Sequence, residues 1–164
     1  MSTLATNAIT DASGGNTATI NGYTPTESNM AGRNRLINSD MRIDQRNAGA
    51  AVTNTTSSLY VTDRWHIYGQ QASKFTAQQN AGAVTPPAGH TYYLGITSSS
   101  AYTVLSGDNF KAVQSIEGYN LADMGWGAAG ASPVTLSFWV RSSLTGTFGG
   151  AFTNSSYNRS YPFT

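Results

Sequence analysis

The run Ser132-Pro133-Val134-Thr135-Leu136-Ser137-Phe138-Trp139-Val140-Arg141-Ser142-Ser143 constrains the fold more than any other stretch. Val134, Leu136, Phe138 and Val140 share one parity, while Thr135, Ser137, Trp139 and Arg141 share the other. A period of two is what a pleated strand gives, because successive side chains point to opposite faces. β-branched and aromatic residues suit that surface, and Pro133 stands at the mouth of the run, where a missing N–H does least harm. The apolar face needs a second sheet over it. Leu136, Phe138 and Val140 are therefore expected in the core, with Trp65 and Ile67 on a facing or neighbouring strand. The other face, with Trp139 and Arg141, is either a wet surface or a second interface.

Composition then narrows the class. The chain has 164 residues, of which only 10% are charged, and a net charge of +1. That is well below the usual quarter of charged residues, so solubility rests on Ser, Thr, Asn and Gln. Lys74 and Lys111 are the two lysines, and no basic run exists. Nucleic-acid binding, which needs clustered Lys and Arg to displace counterions, is not expected. The absence of cysteine excludes disulfide staples and thiolate metal sites. The N-terminus lacks the basic and apolar regions of a signal peptide. No run approaches the ~20 apolar residues of a membrane span.

Residues 1–32 read as a separate segment. Strand-like runs at 7–10 and 17–20 flank Asp11-Ala12-Ser13-Gly14-Gly15-Asn16, a cluster of turn formers that reads as a hairpin tip. So small a hairpin is marginal alone. Ile9, Ala18 and Ile20 are thus the candidate contacts to another copy or another protein. Residues 22–32 read as a linker.

The main domain is expected over residues 33–164. An edge strand crossing between sheets is expected in residues 34–46, with Arg42, Asp44 and Arg46 forming a surface ion-pair row. Residues 47–58 read as loop. In the run from Leu59 to Gly69, Leu59, Val61, Trp65 and Ile67 share the inward parity, and so does Asp63. A buried carboxylate needs a partner, supplied by a bulge or by a distant arginine such as Arg35. Further strands are expected at 74–79, 91–98, 109–116, 147–153 and 159–164. One helical turn is expected over residues 121–124, N-capped by Asn120 and stopped by Gly125, with Leu121 and Met124 plugging the end of the sandwich. The fold class is all-β: a two-sheet jelly-roll sandwich preceded by a short extended N-terminal attachment hairpin.

Chemistry is less legible. The eight acids fall singly, whereas a glycosidase needs two carboxylates across a cleft. Glu117, at a strand end, reads as a loop hydrogen-bonder before it reads as a base. His66 and His90 lie near no nucleophile elbow and no metal-spaced partner. Asp108 with Glu117 would make only a weak calcium signal. The reading is therefore no enzyme, no cofactor and no metal ion. Tyr119 and Trp126, in irregular backbone, and Tyr102 are the candidates for stacking on a sugar face, against the plain alternative that sandwich aromatics are core or cap residues.

The segments Asn34-Arg35-Leu36-Ile37-Asn38-Ser39, Ile43-Asp44-Gln45-Arg46-Asn47-Ala48-Gly49, Asp63-Arg64-Trp65, Ser115-Ile116-Glu117-Gly118-Tyr119, Pro133-Val134-Thr135-Leu136-Ser137-Phe138-Trp139-Val140 and Arg159-Ser160-Tyr161-Pro162-Phe163 occur in this order. Together they resemble a jelly-roll domain of bacteriophage tail-fibre and receptor-binding proteins, similar to carbohydrate-binding modules. Residues 8–22 resemble the short attachment segments of phage fibres. The resemblance implies a structural virion appendage, anchored by its N-terminus to other virion proteins at the tail or head. It implies assembly in the host cytoplasm, host attachment through a surface glycan, a homotrimer, and no membrane insertion. It also implies strands after Phe163, supplied by further chain or by another chain. A glycan-binding recognition module and a polysaccharide-degrading domain are the alternatives.

Overall fold

The computed structural model describes residues 34–164. The attachment hairpin, with Ile9, Ala18 and Ile20, lies outside the described residues. The chain divides into two compact units at Pro133 and Val134.

In residues 34–133 two antiparallel three-stranded sheets form. The first has the order β1 (Val52–Thr53), β4 (Phe75–Gln79), β5 (Leu94–Ser98). The second has the order β2 (Leu59–Thr62), β3 (Trp65–Gly69), β6 (Phe110–Gln114). Alternation sets the registers: Leu59 pairs with Ile67, Ile67 with Ala112, and Ala77 with Val52 and Ile96. Val61 and Ile67 from one sheet and Phe75 and Ala77 from the other form the core, with Val52, Leu59, Leu94 and Phe110 packed against it. The inward parity read for this run therefore holds for Leu59, Val61 and Ile67, whereas Trp65 is half-buried outside the core cluster, beyond a shift in the β2–β3 register, and donates its indole N–H to the Asn38 carbonyl. Asn54, fully buried, stitches the turn before β4. Its Oδ1 accepts from the N–H groups of Lys74 and Phe75 at 2.7 and 2.9 Å, and its Nδ2 donates to the Gln71 carbonyl at 2.7 Å.

Several expectations need correction. Residues 34–46 form turns rather than an edge strand. Asn38 and Met41 take φ of 54° and 56°, a left-handed backbone that no strand accommodates. Side-chain amides replace the missing ladder. Gln114 holds both backbone groups of Ile37 at 2.7 and 2.8 Å, and Gln79 donates to the Met41 carbonyl at 2.6 Å. The ion-pair row does not form: Arg42 pairs with Asp40, while the Asp44 carboxylate accepts from the N–H groups of Asn47 and Gly49. Asp63 is not on a strand face. It is the first of two loop residues joining β2 to β3, and its Oδ1 accepts from the Gln45 N–H at 3.2 Å. Arg35 instead grips Asp123 with both guanidinium arms and donates to the Asn120 carbonyl at 2.8 Å. The expected helical turn is a 3₁₀ helix over Gly118–Met124, begun by Glu117 rather than Asn120 and closed by Gly125 at φ 62°. Leu121 and Met124 are half-buried.

The largest correction falls on residues 132–143. They form no strand, and Leu136, Phe138 and Val140 are 36%, 63% and 71% exposed. Alternation specifies which face a strand would bury, but a strand also needs a neighbour for its N–H and C=O groups. No described segment pairs with this one. The ordered part of residues 134–164 is a hairpin, β7 (Gly150–Thr153) with β8 (Ser160–Phe163). Gly150 pairs with Phe163, whose ring lies where a β-carbon on Gly150 would stand. Asn154 Oδ1 closes the turn by accepting from the N–H groups of Asn158 and Arg159, both at 3.1 Å. Among the described residues no helix is long and apolar enough to cross a membrane.

Candidate functional site

The β2–β3 hairpin and the loop strapped along it build one concave surface. Asn38 fixes the loop: its Oδ1 accepts from the Ile43 N–H at 2.9 Å, and its Nδ2 donates to the carbonyls of Ile43 and Asp63 at 2.8 and 2.9 Å. The Asp63 N–H donates to the Ile43 carbonyl at 3.0 Å. Asn47 Nδ2 reaches the carbonyls of Val61 and Tyr60 at 2.6 and 3.1 Å. The backbone on either side of Gln45 and Arg46 is thus tied to the hairpin at several points.

Gln45, Arg46, Tyr60, Asp63 and Arg64 line a pocket of about 200 Å³. The Arg46 guanidinium sits over the Tyr60 ring, 4.7 Å from its centroid, an attraction between cation and ring quadrupole. Tyr60 remains 45% exposed and meets its register partner His66 edge-on at 5.6 Å. Partial burial, with a smaller push from Lys111, lowers the pKa of His66 below 6.5. It is therefore largely neutral at pH 7.

Arg64 carries two local costs. It is the second loop residue of the hairpin, at φ 75°, where glycine or asparagine sits without strain. Its Nε is buried with no hydrogen-bond partner. Its Nη2 donates to the Ser115 carbonyl at 3.1 Å and pairs with Glu117. That pair ties the hairpin to the 3₁₀ helix that carries Tyr119. Arg64 holds the Glu117 carboxyl below the ordinary range by hydrogen bonding, and Arg35 does the same for Asp123.

None of the three aromatic candidates lines this pocket. Tyr119 is 96% exposed. Trp126 is 46% exposed, with its indole N–H donating to the Ser132 carbonyl at 3.1 Å. Tyr102 is half-buried and engaged on several sides. Its hydroxyl donates to Asp108 at 2.8 Å, its ring meets Phe110 at 5.9 Å, and Lys74 Nζ lies 5.1 Å from its centroid. The Asp108 carboxylate, which also accepts from the Leu105 N–H, raises the phenol pKa. Asp108 and Glu117 thus serve different partners, and among the described residues no group of three or more His, Cys, Asp or Glu could hold a metal ion.

The pocket residues escaped the sequence reading because they come from two stretches with different signals. The sequence places Arg46 in a charged row, and Tyr60 has the parity opposite to Leu59 and Val61. The legible cue was Asp63-Arg64 interrupting an otherwise alternating run, the mark of a two-residue hairpin loop. No family model, curated protein or solved structure matches the chain.

Proposed function

We propose that this protein is an attachment module of a phage fibre: a structural virion component that anchors through residues 1–32 and presents an all-β domain of jelly-roll type to a host surface glycan. The observation that carries the binding part is the hairpin pocket. It joins an exposed aromatic ring to amide, carboxylate and guanidinium groups, the mixture of stacking face and hydrogen-bonding groups that sugars use. The two facing antiparallel sheets of residues 52–114 support the sandwich type.

A glycan array probed with the full chain tests the binding part. Binding that Tyr60→Ala abolishes is the expected result, and an array without signal contradicts it. The anchor and the trimer rest on the sequence resemblance. Light scattering tests the trimer, with a monomer at micromolar concentration as the contrary result. Deletion of residues 1–32 tests the anchor: loss of incorporation into particles is expected, and normal incorporation refutes it.

A further inference from the structure

We infer that the hairpin pocket selects a carboxylate-bearing sugar, of the uronic acid class, over its neutral counterpart. This rests on the glycan-binding reading and narrows it. Two guanidinium groups line the pocket against one carboxylate, and that carboxylate is partly used, since Asp63 Oδ1 accepts from the Gln45 N–H. Arg64 has a carboxylate partner in Glu117. Arg46 has none: the ion pairs among the described residues are Arg35–Asp123, Arg42–Asp40 and Arg64–Glu117. Its contact with the Tyr60 ring uses the charge without consuming its N–H donors. The pocket therefore offers a guanidinium with no carboxylate partner among the described residues, the group best matched to a planar carboxylate.

The rest of the lining distinguishes a sugar acid from a bare anion. A volume of about 200 Å³ is below that of a drug-sized site and suits one small polar ligand. The Gln45 amide and the Asp63 carboxylate suit hydroxyl groups, which donate and accept at once. The negative charge of Asp63 would be misplaced in a site built only for anions. The cost at Arg64, a left-handed backbone and a buried Nε without a partner, falls on a residue of the pocket itself. Strain of that kind gathers at ligand sites.

The test compares methyl β-glucuronide, methyl β-glucoside and acetate, titrated against the full chain by saturation-transfer NMR and calorimetry. The glucuronide is expected to bind about tenfold or more tightly than either of the others, the worth of one charge-assisted contact. Added salt should weaken it. Arg46→Gln should remove the preference while lowering the unfolding temperature only slightly, since Arg46 is exposed and the contact it loses is the one with the Tyr60 ring. Equal binding of the glucoside would overturn the acid selectivity and leave the glycan-binding reading standing. Equal binding of acetate would reduce the site to an anion hole and overturn the sugar class. Preference unaltered by Arg46→Gln would overturn the location. No binding of any probe, together with a silent glycan array, would overturn both the inference and the reading beneath it.

Discussion

The strands between residues 52 and 114 and the run of residues 134–141 both carry an alternating pattern, yet only the first are packed. Around Ile67 each strand has a neighbour for its backbone and an opposing sheet for its apolar face, and Val61, Ile67 and Ala77 are at most 1% exposed. In the second stretch Phe138, Trp139 and Val140 are 63%, 77% and 71% exposed, with no strand formed. The difference lies not in hydrophobicity but in partnership. A period of two marks a side chain as fit for burial, whereas burial itself depends on a second strand and a second sheet.

This contrast predicts its own ways of being broken. The largest effect is expected at Ile67. Ile67→Ala should cost about 2–5 kcal/mol, because the site is enclosed on both sides and collapses poorly. Chemical denaturation measures it, and a loss under about 1 kcal/mol would place the core elsewhere. Asn54→Ala comes next. It would orphan the N–H groups of Lys74 and Phe75, at roughly 1–3 kcal/mol for a buried unsatisfied donor. Asn54→Asp keeps the acceptor but buries a carboxylate whose second oxygen faces the Gln71 carbonyl, so it too should destabilise the fold.

A pH effect of intermediate size should also belong to the packed region. The folded-state pKa of His66 is lowered, so the unfolded chain takes up its proton first. Stability should therefore be full above pH 6.5 and fall as pH drops below it. His66→Gln should remove that step from thermal unfolding curves. Glu117 and Asp123, also lowered, give a second loss below their ordinary values of 4.5 and 3.8. Arg35→Gln and Arg64→Gln should flatten it. The smallest effect is expected at Phe138. Phe138→Ala should change stability by no more than about 0.5 kcal/mol, as exposed positions do. A cost of several kcal/mol would restore the buried strand that its alternation implies.

What was legible follows the same division. The strands of residues 59–62, 65–69, 75–79, 94–98 and 110–114 could be read because local pattern and global packing agree there. The turns of residues 34–49 could not. They are held by Asn38, Asn47, Gln79 and Gln114 across separations that no local pattern encodes. The pocket shares that difficulty: Arg46 and Tyr60 meet only because those amides lay one segment along the other. Trp126 lies in a turn as its glycine-rich surroundings imply, whereas Tyr119 sits in the 3₁₀ helix rather than in irregular backbone, and the exposure of either names no ligand. Tyr102 looked equivalent in sequence and differs because Asp108, six residues on, folds back to its hydroxyl.

Amide hydrogen exchange on the full chain, resolved by residue, tests the account most directly. The ladder amides of β2, β3 and β6 should be the slowest in the molecule, with the β2–β3 hairpin that carries the pocket protected as one unit with Ile67. Amides of residues 134–148 should exchange near the unprotected rate. Protection across residues 134–141 equal to that of residues 65–69 would contradict the account, since it would make the alternating run a paired strand of the core.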